Sequence, residues 1–401
     1  MHLLVIGVDY YPEQTSVGPF TTGLCEHLVE QGHRVSVITA FPYYPQWRIR
    51  DEYRGMVYKR ERIHDVDVRR VIHYVPSKPR NLIQRLLHDI SFSFNVFLAT
   101  LLLGPFDGIF CSSPPPFVPM VAWMASRLRG VPFAINLTDL AADAAVSLGM
   151  MGGLEWLALW ARTFEKFNYE RATGISVLCP AFKENLAGRG VAAEKISIVQ
   201  PWADTETIHP MPRKNDFVVL HAGNMGLKEG LQAVVEAARL TEASSLGITW
   251  KLVGDGEERQ RLQESAARYG LARLRFLPLQ PNNMVPFMLA APDVLLLVQK
   301  ATVIDAVIPS KLLTYMASGR PIVASVHPNS EVACRIIEAG CGRVVAPEDP
   351  EEISEAILYY FHIPHLISRN RKKSKEYASE HYKQDKIMPK YESVLSDLSI
   401  S

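Results

Sequence analysis

Several stretches of this chain put glycine, lysine and carboxylates where a phosphorylated ligand could be held and a proton moved. In Gly223-Asn224-Met225-Gly226-Leu227-Lys228-Glu229-Gly230, glycines surround a cation ahead of an amphipathic helical pattern. Backbone N–H groups in such a loop can bind phosphate oxygens while Lys228 supplies charge. The G-x-x-x-x-G-K-[ST] spacing is missing, and no Ser or Thr follows for magnesium, so diphosphate binding is expected without a nucleoside-triphosphatase site. In Pro309-Ser310-Lys311, Ser310 is placed to cap a helix that Gly319-Arg320-Pro321 closes, with Lys311 in its first turn. A cation there opposes the helix dipole unless an anion is near, and a local conflict of that kind tends to mark a site. Tyr10 to Pro19 brings Gly18 to a helix start, where backbone amides can approach an anionic or polar group; a plain strand-to-helix turn is the other reading. Asn136 to Asp143 carries Asp139 and Asp143 after a strand, where a carboxylate accepts a proton, orients a hydroxyl or caps the next helix.

The elements that must position these loops alternate between strand and helix. Met1 to Val8 reads as a buried strand, Phe20 to Gln31 as an amphipathic helix, and Arg34 to Thr39 as a second strand, which makes a βαβ unit with a parallel sheet. Val66 to Ile72, Gly108 to Cys111, Phe133 to Leu137 and Gly174 to Val177 extend it. The pattern restarts at Phe217 to Ala222, with a helix from Gly230 to Leu240, and continues through Trp250 to Val253, Leu274 to Leu277, Val294 to Val298 and Pro321 to Ser325. The fold class is therefore α/β, with two doubly wound, Rossmann-like domains. Pro201, Pro210 and Pro212 in a polar run suggest a linker, giving domains at 1–209 and 210–379, with a helix-like tail at 380–401 that returns to the first. In open parallel sheets the ligand crevice lies at the C-terminal ends of the strands, where all four loops fall.

Composition narrows the partners. The 401 residues exceed one ordinary core, and 43 Lys plus Arg nearly cancel 42 Asp plus Glu, so no basic field gathers nucleic acid. The five cysteines form no C-x-x-C and no metal-ligand cluster, which argues against structural zinc and a disulfide framework. The first residues lack the form of an export signal, and Phe92 to Leu103, interrupted by Ser93, Asn95 and Thr100, is too short to span a bilayer. With Arg80, Arg85 and His88 upstream, that segment reads equally as a core helix or as an interfacial membrane helix. A cytoplasmic location, at the inner face of the plasma membrane, is expected.

The ordered set of motifs resembles glycosyltransferase family 4, in its branch of bacterial exopolysaccharide, colanic-acid-type enzymes. The resemblance rests on Tyr10-Tyr11-Pro12-Glu13 with Gly18, Phe41-Pro42-Tyr43-Tyr44-Pro45, Thr138-Asp139 with Asp143, Pro201-Trp202-Ala203-Asp204-Thr205, Gly223-Asn224-Met225-Gly226, Gly254-Asp255-Gly256-Glu257, Pro309-Ser310-Lys311-Leu312 through Pro321, and Gly340-Cys341-Gly342. It implies a GT-B fold with the nucleotide held mainly by the second domain and the acceptor by the first, across a cleft, with retention and without metal or cofactor. Lys311, Lys228 and Asp139 are the implied catalytic residues. Gly18, Gly223, Asn224, Gly226, Gly254, Asp255, Leu277, Pro309, Ser310 and Thr314 are the donor contacts, and Glu13 and Asp143 the acceptor contacts. Partners would be a nucleotide-sugar donor and a glycan or polyprenyl-diphosphate-linked acceptor. The chain departs from the family where a pair of glutamates is matched by Ala306 and Thr314, a catalytic arginine by Asn224, and an acceptor-side histidine by Thr138 or Asp139; Lys228 sits one place before the family lysine. A nucleotide-sugar epimerase on the same fold, or an inactive binding or scaffold subunit, are the competing readings.

Overall fold

The computed structural model describes the chain except residues 14–16, 45, 79–80, 141–142, 144–154, 209–215, 245, 304–308 and 399–401, and the side chains at 155, 157, 158 and 282. Arg80, Ala306, residues 209–215 of the proline-bearing linker and the middle of the Tyr10–Pro19 loop lie outside the described residues. The chain divides into two compact units, Met1–Gln200 with Ile387–Ser401, and Pro201–Lys386.

In the first unit, β1 (His2–Ile6), α1 (Gly18–Glu30) and β2 (Arg34–Ala40) form the expected βαβ unit, with β1 and β2 parallel and Leu4 opposite Ser36. Both strands are buried nearly throughout, which is why they read as continuous apolar runs. β3 (Tyr58–Ile63) and β4 (Val66–Val71) make an antiparallel hairpin turned by His64 and Asp65 at φ 46° and 64°. Then come α2 (Leu82–Leu101), β5 (Gly108–Ser113), α3 (Val118–Arg129), β6 (Phe133–Leu137), α4 (Glu155–Arg171), β7 (Gly174–Val177), α5 (Pro180–Gly188) and β8 (Ile196–Ile198). The sheet runs β3-β4-β2-β1-β5-β6-β7-β8 and is parallel apart from β3.

The second unit holds β9 (Phe217–Ala222), α6 (Gln232–Ala243), β10 (Ile248–Val253), α7 (Arg259–Arg268), β11 (Leu274–Leu277), α8 (Val285–Ala290), β12 (Val294–Val298), α9 (Lys311–Ser318), β13 (Ile322–Ser325), α10 (Glu331–Ala339), β14 (Gly342–Val345), α11 (Pro350–His362) and α12 (His365–His381). Its parallel sheet is ordered β11-β10-β9-β12-β13-β14. Alternate residues of the central strands feed separate cores: Leu295 and Leu297 pack with Tyr315 and Met316 on one side, Leu296 and Val298 with Trp250 and Ile353 on the other. α13 (Gln384–Ser396) carries the chain back into the first unit.

The division falls at Pro201 and Ile387, where the sequence reading put it at 210 and 380. Ala203 and Ile208 are core residues of the second unit, and the Ala203 N–H donates to the Tyr382 carbonyl at 2.8 Å, so the linker's first half is already folded into that unit. The helix expected from Gly230 begins at Gln232. A 3-10 turn, Leu227–Glu229, precedes it, and Gly230, at φ 67°, separates the two.

Candidate functional site

The glycine loop after β9 and the loop after β10 are locked edge to edge. The Gly223 N–H donates to the Val253 carbonyl (2.9 Å), the Met225 N–H to Asp255 (2.8 Å) and the Glu258 N–H back to Met225 (2.9 Å). Gly254 is confined by this closeness: at φ 138°, an added Cβ would lie 1.9 Å from the Gly223 carbonyl oxygen. Its own N–H donates to the carbonyl of Leu277 at the end of β11, so Leu277 supports the loop through its backbone. Asn224 is exposed at the rim and Gly226 buried behind it, where a Cβ would meet Asn224 Nδ2 at 2.7 Å. The Asp255 carboxylate accepts the Gly256 N–H at 2.8 Å, lies 4.0 Å from the Arg259 guanidinium and is largely exposed. Lys228 is half-buried on the 3-10 turn.

Lys311 opens α9 beside this cradle. Its Nζ lies 3.6 Å from where a Cβ of Gly223 would stand, and it pairs with the Glu229 carboxylate at 2.5 Å; the side chains are 14% and 4% exposed. The conflict between Lys311 and the helix dipole is thus relieved by an anion supplied by the chain itself. Ser310, expected to cap α9, is helical and exposed (φ −57°, ψ −24°), and its side chain makes no capping bond, because a cap needs extended backbone to aim its oxygen at the first turn. Pro309 immediately precedes it, and the Thr314 hydroxyl donates to the Lys311 carbonyl at 3.0 Å. The Tyr315 hydroxyl accepts from the Ala222 N–H (2.8 Å) and donates to the Ala222 carbonyl (3.1 Å), pinning α9 to the end of β9. Beneath, His221 is fully buried, its Nδ1 3.2 Å from the Leu296 carbonyl; burial and the Lys311 charge hold its pKa well below the ordinary value. Glu229 and Tyr315 brace this arrangement, and the sequence reading assigned neither of them a part.

These contacts bring Gly223, Asn224, Gly226, Gly254, Asp255, Lys228 and Lys311 to one end of one sheet. The Gly223, Met225 and Gly254 amides are spent on locking the loops, and the Asn224, Gly226 and Asp255 amides, glycines without side chains and a lysine make an environment for a diphosphate.

In the first unit the candidates are spread over separate loops. Gly18 is the first residue of α1, and a Cβ there would meet the Glu13 carbonyl oxygen at 2.9 Å, so the glycine admits the chain's own backbone. Glu13 faces inward: it is 4% exposed and accepts the Tyr43 and Tyr44 N–H groups at 2.8 and 2.9 Å. Burial, then the neighbouring Asp9 carboxylate, push its pKa up to about 8. Close by, Tyr43, His73 and His88 cluster with ring centroids about 5 Å apart; burial drops the His73 pKa to about 3 and keeps it neutral. Asp139 is half-buried just past β6. Asp143 lines an open recess of about 390 Å³ with Arg162, Thr163, Lys166, Asn185 and Arg189, and is paired to both arginines. Its carboxylate is therefore already neutralised, which favours a structural part for it.

Known proteins match this chain throughout. The family model described as "Glycosyl transferase 4-like domain" matches residues 15–202, and that described as "Glycosyl transferases group 1" matches residues 204–381. The colanic acid biosynthesis glycosyl transferase WcaI of Escherichia coli (strain K12) is 31% identical over 417 residues, covering 98% of each chain. Among solved structures, sucrose-phosphate synthase from Thermosynechococcus elongatus superposes with a TM-score of 0.80 at 16% identity, covering 99% of this chain and 98% of that one. HepE from Anabaena in complex with UDP-glucose gives 0.71 at 17%, covering 99% and 100%. The structural likenesses carry the GT-B fold, and the sequence matches, in order and over nearly the full length, carry more: the chain belongs to the group 1, family 4 glycosyltransferases.

Proposed function

We propose that this glycosyltransferase takes a sugar from a nucleotide diphosphate donor and gives it, with retention and without metal or cofactor, to a glycan or polyprenyl-diphosphate-linked acceptor. The setting would be bacterial exopolysaccharide or cell-surface glycan synthesis, from the cytoplasm, in peripheral contact with the plasma membrane. Similarity to WcaI over the full length supports the setting, and the structures of HepE with UDP and UDP-glucose support the donor class.

The observation that carries the reading is the pair of interlocked glycine loops with Lys311 Nζ beside Gly223. When the sugar–phosphate bond breaks, negative charge grows on the departing diphosphate, and donors already aimed at it stabilise that charge without reorganising. Backbone amides of Asn224, Gly226 and Asp255, with Lys311 and Lys228, would do this in the second unit. Pro309 and Ser310 would shape its wall, and Thr314 and Leu277 would hold backbone in place. Asp139 in the first unit is the candidate to orient or deprotonate the acceptor hydroxyl.

Lys311→Ala alone strands the Glu229 carboxylate, so the test compares Lys311→Ala/Glu229→Gln with Glu229→Gln. Loss of about 100-fold in kcat/KM for transfer from the sugar nucleotide is expected, as for one preorganised donor to a developing anion. Equal rates for the two would remove Lys311 from the reaction. The anomeric configuration of the product, read by NMR, tests retention, and an EDTA-treated enzyme of undiminished rate is the expected result on metal.

A further inference from the structure

Helix α2 is apolar on its outer face as well as its inner one. It buries His88, Ser93 and Thr100 together with Phe92, Val96 and Ala99, and exposes Ile83, Leu87, Ile90, Phe94, Leu98 and Leu101, Ile83 by 69% and Phe94 by 60%. At about 100° per residue those six side chains fall within an arc of about 80°, along about 27 Å of helix. A surface helix of a water-soluble protein carries polar and charged residues on that outer face.

The neighbouring helices are fastened to α2 and expose apolar side chains of their own. The Arg129 guanidinium at the end of α3 donates to the Leu101 and Leu103 carbonyls, binding α3 to the end of α2. Phe117 and Trp123 pack edgewise or tilted on Phe164 and Phe167, binding α3 to α4. On α3 and α4, Leu128, Trp156, Leu159 and Trp160 are more than half exposed. Monomeric proteins rarely show apolar patches of such extent without a partner.

Charge names the partner. Lys78, Arg85, Arg127 and Arg129 are exposed around α2 and α3, and the two helices contain a single acid, half-buried Asp89, whose pKa burial pushes up to about 6. One sign of charge beside an extended apolar stripe and indole rings suits a surface of lipid phosphates over hydrocarbon. Among the described residues no helix is long and apolar enough to cross a membrane, so the contact would be made lying on the surface.

We propose that α2, α3 and the start of α4 form a docking face for an anionic phospholipid bilayer. The α2 stripe enters the headgroup layer, and Lys78, Arg85, Arg127 and Arg129 meet lipid phosphates. The inference rests on the membrane-contact part of the proposed function and owes nothing to the donor site.

The test is cosedimentation of the whole chain, without donor or acceptor, with phosphatidylcholine vesicles that contain or lack phosphatidylglycerol. Binding should be about tenfold stronger with phosphatidylglycerol, weaken as salt rises, and fall more than tenfold in Ile83→Glu/Phe94→Glu. Both positions are exposed, so circular dichroism and the thermal midpoint of the variant should match the original chain. No binding to anionic vesicles, or equal binding by a folded double variant, overturns the proposal. So does a soluble dimer that the double variant disperses while vesicles are ignored, since the face would then serve a second copy. Transfer to a soluble acceptor is measured separately, so failure here leaves the donor reading standing.

Discussion

Glu229 holds Lys311 in an ion pair that a bound diphosphate would have to share or displace. Replacing Glu229 by Gln keeps an oxygen for the ammonium but leaves its charge poorly compensated, which should cost up to about 3 kcal/mol in the empty protein. A donor diphosphate then supplies the missing anion, so the rise in thermal midpoint on adding sugar nucleotide should be larger in Glu229→Gln than in the original chain. Equal shifts would mean that no diphosphate reaches Lys311. Glu13 gives a pH prediction. Its folded pKa of about 8 lies above the ordinary 4.5, so protons favour the fold. Its contribution is full below about pH 4.5 and is lost as the pH climbs toward 8. Glu13→Gln keeps an oxygen to accept the Tyr43 and Tyr44 N–H groups and does not titrate. The first unit should therefore unfold at the same temperature in both chains near pH 4.5, and several degrees higher in the variant near pH 9, at about 2–4 °C per kcal/mol. Lys311 was legible because it broke a local helix rule. Its partner was not, because Glu229 lies 82 positions away and only the fold brings the two together.

Between elements, the proposed donor site depends on how α9 and the β10 loop are fastened to the end of β9. Tyr315→Phe removes the hydroxyl that serves both polar groups of buried Ala222. Leaving those groups unpaired should cost about 1–3 kcal/mol and raise the KM for the donor, with little effect expected on an acceptor's KM. Gly254→Ala would force a methyl onto the Gly223 carbonyl; the loops must part, and donor binding should vanish, as a nucleotide titration by calorimetry would show. Strands buried on both faces, such as Phe133–Leu137 and Val294–Val298, were readable to the residue, since length and apolarity leave no other choice. β3 was not, because Tyr-Lys-Arg-Glu-Arg-Ile carries charge on an edge strand whose pairing with β4 is set by the turn at His64 and Asp65. The 3-10 turn at Leu227–Glu229 was hidden as well: it has no period of its own and is fixed by contacts such as the Leu227 N–H with the Glu257 carboxylate. Ser310 shows the converse, a favoured capping residue whose backbone the surrounding fold holds helical.

At the scale of the whole molecule, the first unit is completed by residues from the far end of the sequence. Ile387, Met388, Tyr391, Val394, Leu395 and Leu398 are all buried there. Tyr391 sets its ring edge-on to Phe110 of β5, and His27 of α1 meets Glu392 at 2.6 Å. The strands are shaped for the tail: Gly108 and Gly174 carry no side chain where Leu398 and Val394 approach, and a Cβ at Gly108 would stand 3.0 Å from that of Leu398. The sequence showed a helix-like end but not these complementary gaps, since the glycines read as ordinary strand starts. Each large apolar side chain buried is worth about 1.5–3 kcal/mol, so six exceed or match the whole stability of a typical domain, about 5–15 kcal/mol. A chain ending at Lys386 should therefore keep a cooperatively folded second unit that still binds the sugar nucleotide, while its first unit loses protection from proteolysis and amide exchange. A truncated chain whose first unit stays protected would show that residues 1–200 close their own core, and that the returning tail is an ornament to it.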